Sequence, residues 1–592
     1  MKPCGGWGIS SASEGCALGS RWRLGAGFLL LLLFFLFFPD FLEAGGPANV
    51  AGVSWFQPGV AGTPILWTGE TVTYYTDRGD LSAYLKEADA DALVAYAFSK
   101  WTAIPTVALT ATRGGQLDED VNGSNVINNS GQIIVPADVQ SNSNKPLAII
   151  YDRDGSVTNA LLGAGAGAPE MCTSNSVYGG VDRFTTDAHV GHALVVINGN
   201  CAGGSSAIAP LHYKLMRVLG QVLGLGWSQL NDNVGAGSPP PRADDYAGFP
   251  LMHPMGWFWI CDQGFSCNAN ADEPHQDDLA ALSRLYPVTT ANIASLPAGK
   301  TLFHENTARI HGVVRFPPWN GAPGQGMEGV NVVARRVDPA TGLPSRKYAA
   351  SSVSGFLYRG NVGNPVTGFL TANGDRLDRF GSNDLALEGF YDLSGLELPD
   401  GASTANFQLT VEAINPLYTD SVAVGPYTTV GVSPSGSTIP ISVTVNRGGD
   451  VQQDIIMQGS ANQPQDDHQP HTFAQPYPAP ASGDWTGIIS PYGDVHYYSI
   501  LGHPNYSFTL LITALDEQGA PTTAKLLPVL GVWPPGSDEG SAPAAWENYF
   551  NTTKTGTSKI EAEFLGEGNY KIGIADYRGD GRPDFHYQAR LL

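Results

Sequence analysis

Apolar residues recur along this chain at two spacings, and the change between them divides it. In the first half the spacing is helical. Leu211, Leu215, Leu219, Val222 and Leu223 follow steps of three and four, which predicts an amphipathic helix over Leu211–Ser228 packed on a core. Gly224 and Gly226 should end it and turn the chain. Leu85, Ala88, Ala92, Leu93, Tyr96, Ala97 and Trp101 predict a helix over Leu81–Trp101, and Leu279, Leu282 and Leu285 one over Gln276–Tyr286. Short strands are expected at Thr71–Thr76, Ile133–Val135, Leu147–Tyr151 and His192–Asn198. From Arg309 the pattern turns to alternation: IHGVVRF, GVNVVARRV, FQLTVEAI and ISVTVN, then GDVHYYSI, YSFTLLITAL, KLLPVLGVW and GNYKIGIADY. The reading is multidomain: an α+β domain over 48–290 followed by two all-β sandwich domains, 305–458 and 483–592. A stretch around Asn292–Asn306 links the first two, and a Pro/Gln/Asp-rich linker, 459–482, the last two.

Composition adjusts this picture little. Seventy-two glycines and 42 prolines with only 15% charged residues suit many strands and turns. A net charge of −23 argues against nucleic acid and anionic membrane surfaces as partners. At the N-terminus, Arg21 and Arg23 precede an apolar run, Leu24–Phe38, that is short for a membrane span. Residues 1–44 therefore read as a secretory signal, the alternative being an uncleaved anchor and the one route to a membrane. Either makes the protein secreted or held at the cell envelope or surface. In an exported chain, four cysteines beyond Cys4 and Cys16 suggest two disulfides. Cys261 and Cys267 bracket a short loop and are paired here, leaving Cys172 with Cys201. A cysteine-based metal site would lack the usual C-x-x-C spacing.

The candidate chemistry lies at the end of the central helix. A helix ending in VLGLG and a turn resembles the zinc-binding helix of matrixin-like metzincin metalloproteases, whose pattern is His-Glu-x-x-His-x-x-Gly-x-x-His. FPLMHPMGW further on resembles their Met-turn, with Met252 as the matching residue. The phrase ADALVAYAFSKWTAIPT resembles their first long helix. With Gly224 on the motif glycine, the first histidine falls on Arg217, the glutamate on Val218, the second histidine on Gln221 and the third on Trp227. The resemblance implies zinc, yet its ligands are absent. Arginine and tryptophan offer donors only, glutamine is a poor ligand and valine cannot act as a base. A protease-shaped domain without the protease site is the expectation. Arg217 and Trp227 should fill the vacated hole, with Asp244 or Asp245 as the carboxylate facing Arg217.

An active zinc metalloendopeptidase with relocated ligands is the alternative; it would need three of His189, His192, His212, His253 and His275 to converge. Asp152-Arg153-Asp154-Gly155-Ser156 reads as a turn rather than a calcium loop. The second domain resembles the carboxypeptidase regulatory-like β-sandwich, and GDVHYYSI resembles the opening of bacterial pre-peptidase C-terminal domains. Near the end, Asp576, Asp580 and Asp584 with Gly581 resemble a calcium loop, which the resemblance implies could hold calcium. Arg578 stands at a ligand position there, and the other reading is a salt-bridged turn in which it pairs with Asp580 or Asp584. Metzincin clefts hold substrate as a strand added along a sheet edge. A peptide- or protein-binding pseudoprotease, or a structural surface protein, is therefore the functional expectation.

Overall fold

The computed structural model describes residues 46–592 except 129–130, 238, 256–272, 319–321, 359–361, 369, 371–375, 415–439, 458–471, 517, 524 and 548–556. The Leu24–Phe38 segment, Cys4, Cys16, Cys261, Cys267 and most of the 459–482 linker lie outside these residues. Strand outweighs helix, 36% to 19%.

Strands β1 (Thr71–Thr76), β2 (Thr110–Gln116), β3 (Leu147–Asp152), β4 (Val177–Thr185) and β5 (His189–Asn198) form one sheet in the order β2-β1-β3-β5-β4. All neighbours run parallel except β4, which is antiparallel to β5 and lies at the edge. Alternation along β3 and β5 supplies two cores. Leu147, Ile149, Val195 and Ile197 face the larger, with helices α1 (Glu87–Thr102), α2 (Ser205–Val222) and α3 (Gln276–Leu285). Ala148, Ile150, Leu194 and Val196 face a smaller core that includes Val157 and Leu161. Cys172 and Cys201 form a disulfide that ties the approach to β4 to the exit of β5.

Several boundaries differ from expectation, each for a local reason. Helix α1 starts at Glu87, not Leu81. The Ser82 hydroxyl accepts the amides of Tyr84 and Leu85, making a turn of the preceding residues, while Leu81 is buried outside the helix. Ile133–Val135 makes one isolated bridge, Ile127 to Ile133, rather than a strand. Helix α2 begins six residues early, at Ser205, and carries Pro210 inside it.

The second domain comprises β6 (Thr307–Arg315), β7 (Asn331–Val337), β8 (Pro344–Val353), β9 (Phe390–Glu397), β10 (Thr404–Val411), β11 (Ile441–Asn446), β12 (Asp450–Gln452) and β13 (Ile455–Ile456). One sheet runs β11-β10-β7-β8; the other is built on β6, paired with β9, β12 and β13. Their inner faces share a core around Ile310, Val332, Leu393 and Phe407. The third domain, β14 (Tyr477–Pro478) through β15 (Asp484–Ile488), β16 (Val495–Gly502), β17 (Ser507–Leu515), β18 (Pro528–Trp533), β19 (Ala545–Glu547), β20 (Thr557–Glu563), β21 (Gly568–Asp576) and β22 (His586–Leu591), is a second sandwich. Its sheets are β14-β16-β21-β18-β19 and β15-β22-β17-β20.

The domains are joined by side-chain bonds as well as by the chain. Asp277 of α3 accepts the Ser351 amide at 2.6 Å and its hydroxyl at 3.0 Å. Asn331 donates to the Gln229 carbonyl at 3.1 Å and Arg335 to Asn231 at 3.0 Å. Leu230 packs with Val333 and Ala349. Among the described residues no helix is long and apolar enough to cross a membrane.

Candidate functional site

The apolar stripe of α2 is buried throughout: Leu211, Leu215, Leu219, Val222 and Leu223 are at most 1% exposed. Its last carbonyls are capped from outside the helix. The Trp67 indole donates to Val222 at 2.8 Å and the Tyr286 hydroxyl to Leu223 at 2.9 Å. Gly224 then takes a left-handed φ of +95° that favours glycine, and the chain turns back. Gly220 matters for a different reason. A Cβ there would lie 2.5 Å from the Met252 sulfur and 3.0 Å from the Trp101 ring, so a bare backbone is what lets Met252 press against the helix.

The turn carrying Met252 is held from α3. Asp278 accepts the amides of Leu251 at 2.8 Å and Met252 at 2.9 Å, and that of His275 at 2.8 Å. Burial pushes the Asp278 carboxyl up to about 7, against these three bonds. The turn is also held from α2. Arg217 donates to the carbonyls of Leu251 (2.8 Å), Pro254 (3.2 Å) and His253, and to the Tyr213 hydroxyl at 3.3 Å. Its guanidinium lies 4.7 Å from the Trp227 ring centroid and 5.5 Å from that of Tyr213. Arg217 and Trp227, ten residues apart in sequence, therefore meet. Val218 packs against the core, and Gln221 lies one helical turn beyond Arg217, half-buried.

The expected carboxylate partner of Arg217 is not there. Asp245 faces Arg346 at 3.5 Å and accepts the Arg242 amide, while Asp244 is exposed. Carbonyl dipoles and two aromatic faces surround the guanidinium instead, because the Met252 turn brings three carbonyls to it. Tyr213 and Asp278 were missed in sequence. Tyr213 lies one turn before Arg217 on the same face, a signal that could have been read. Asp278, at the start of α3, gave only an N-terminal capping signal.

The five histidines do not converge. His189 stands by Asp187 at 3.3 Å, and His192, fully buried, bonds Asp182. His212 stacks on Tyr96 with centroids 4.6 Å apart. His253 lies against Phe249, 3.7 Å from Asp232; burial, reinforced by the Arg217 charge, holds its imidazole down to about 3. His275 sits at the α3 N-terminus. Among the described residues, no three His, Cys, Asp or Glu groups could hold a metal ion.

The calcium-loop candidates are likewise taken up. Asp576 accepts Arg578 Nη2 at 2.9 Å and Nε at 3.0 Å, and the Leu527 amide at 2.9 Å. Asp584 accepts Arg582 Nε and Nη2, both at 2.8 Å, and Lys525 at 2.7 Å. Asp580 accepts the Gly581 amide at 2.8 Å. The loop is a salt-bridged turn. Arg578 pairs with Asp576, not with Asp580 or Asp584, because Asp576 also accepts the Arg578 amide at 2.8 Å, which folds the turn so that fork and carboxylate meet. Asp152 accepts the amides of Val157 and Thr158, as a turn opening a short helix.

No family model matches the chain, and no curated protein does. Solved structures match parts of it. They include the pre-peptidase C-terminal domain of a Bacillus anthracis collagenase, at 15% identity over 18% of this chain and 87% of that one, TM-score 0.13. A periplasmic inhibitor of g-type lysozyme from Aeromonas hydrophila matches at 14% identity over 20% and 96%, TM-score 0.15. The Corynebacterium diphtheriae major pilin SpaD matches at 8% over 49% and 59%, TM-score 0.14. Likenesses this weak establish no relationship.

Proposed function

We propose that the first domain is a matrixin-like protease framework whose metal centre has been replaced by an arginine. On this reading the protein is an exported, non-catalytic binder of extended polypeptide. The observation that carries it is the position of Arg217. It takes the first-histidine position of the motif and reaches the carbonyls beside Met252, so a cation fixed to the helix braces the turn that would lie beneath zinc. Trp227, at the third-ligand position, closes over it. Neither Arg217 nor Trp227 offers a lone pair to zinc, and Val218 offers no base to water. The edge strand β4 packs against α2, and an edge strand presents unpaired backbone groups to a peptide.

The test is zinc analysis of the purified chain, with binding to an array of extended peptides in the presence and absence of a chelator. The expected result is no stoichiometric zinc, binding that survives chelation, and slower hydrogen exchange along Val177–Thr185 when peptide is bound. Chelator-sensitive cleavage of a peptide would establish the alternative, a metalloendopeptidase with other ligands. Replacing Arg217, Val218, Gln221 and Trp227 by His, Glu, His and His should create zinc affinity in a domain that still folds.

A further inference from the structure

The loop Arg578–Asp584 sits against the second domain as well as within the third. Arg582 Nη1 reaches the Glu328 carbonyl at 3.3 Å. Gln325 Nε2 donates both to Glu388 Oε1, at 2.7 Å, and to the Gly581 carbonyl, at 2.6 Å. The amide of Gly363 donates to the Arg578 carbonyl at 3.3 Å and the Asn364 side chain to that of Tyr577 at 2.7 Å. The seam is dry. Glu328 and Asp580 are each 1% exposed, Glu388 5% and Tyr358 not at all.

Charges do not balance in it. From the third domain come Asp576, Asp580 and Asp584, facing Lys525, Arg578 and Arg582. From the second come Glu328 and Glu388, with Arg315 beyond Glu388. Arg315 is itself engaged by Asp454 at 3.5 Å. Arg578 is spent on Asp576, and Arg582 with Lys525 on Asp584. Three buried carboxyls remain, Glu328, Glu388 and Asp580; among the described residues no ion pair closes on them, and Arg578 and Arg582, already gripping Asp576 and Asp584, offset only part of their repulsion. Tyr358 and Tyr492 face the same three groups, their rings 5.7 Å apart. Glu328 Oε1 has no hydrogen-bond partner among the described residues. Leaving several anions unpaired in such a place is costly. A proton on Glu328 would remove a charge and turn an oxygen without a partner into a donor.

We propose that Glu328, together with Glu388 and Asp580, forms a proton-loaded latch that seats the third domain on the second at neutral and acid pH and loosens as the solution turns alkaline. All three carboxyls are pushed up by burial first and by one another or Asp576 next, Glu388 to about 8. The sign follows. A carboxyl that holds its proton more tightly in the closed state favours closure below its ordinary range and loses that contribution as pH rises through the closed-state value.

The experiment is hydrogen exchange on the full chain between pH 6 and 9, corrected for intrinsic rate and read at the amides of Gly581 and Arg582. The Arg582 amide is bonded to the Ile489 carbonyl at 2.8 Å. Expected is at least a tenfold loss of protection across this range, with protection elsewhere in β16–β22 unchanged. Glu328→Gln, which carries hydrogens permanently at that position, should hold protection at pH 9. Glu388→Gln, a second variant should the first not fold, should shrink the loss of protection, because it removes one titrating group and its repulsion on Glu328. Flat protection from pH 6 to 9, or variants that follow the native profile, would overturn the proposal. So would calcium at pH 8.5 restoring the acid-state protection, which would make the cluster a cation site. None of these readouts involves the first domain, so this latch and the peptide-binding reading stand or fall separately.

Discussion

Arginine stands at both places where the sequence resembles a metal-binding motif, and the two settings neutralise it differently. Arg217 is surrounded by carbonyl oxygens and aromatic faces. Arg578 and Arg582 each grip a carboxylate with two nitrogens. In the first setting the partners are neutral dipoles, so removing the cation strands hydrogen-bond acceptors but no charge. In the second, removing a cation strands a buried anion. One residue type occupies both settings, and only one of the two is electrostatically delicate.

That contrast can be broken by substitution. Arg578→Met should be the most damaging, about 3–5 kcal/mol, because it takes the bidentate partner from a fully buried Asp576. Local hydrogen exchange in the third domain measures it. Arg217→Met should cost less, about 2 kcal/mol, for carbonyls left without a donor, read by exchange at Leu251 and Met252. An equal or larger loss at Arg217 would remove the distinction. Gly220→Ala sharpens it by pushing the Met252 turn from the other side. The added methyl meets sulfur and indole and should cost about 1–2 kcal/mol, measured by thermal unfolding. Acidity gives the smallest effect. Asp278 and Asp77, both pushed up to about 7 by burial, hold protons more tightly folded than unfolded. First-domain stability should therefore fall as pH rises from 5 to 8, and Asp278→Asn should flatten part of that slope. The slope should be the same in Arg217→Met, since carbonyls do not titrate.

The α2 stripe was legible because five leucine and valine positions repeat at the helical period and all are buried. The break after it was legible because Gly224 takes a conformation other residues avoid. The edge strand β4 was not. Its sequence, VYGGVDRFT, has two glycines in the middle and is mostly half-buried, so neither alternation nor an apolar run marks it. That Arg217 cannot be a zinc ligand could be read from the residue alone, since a guanidinium has no lone pair to give wherever it points. What Arg217 binds instead could not, because its acceptors are backbone oxygens some 35 residues away on a turn, and every residue type supplies those. The unbalanced acids at Glu328 and Glu388 were invisible for a related reason: their excess appears only when a loop from the last hundred residues is laid against them.

The seam at Asp277 bears on how this molecule can be taken apart. Asp277 is 6% exposed and bonded on one side to Ser228 and on the other to Ser351. Cutting the gene near codon 290 would bare that carboxylate and the flank of Leu230 together. A truncated first domain would then be expected to clump or fray around the very turn that carries Trp227. Expression through residue 458 keeps the brace in place.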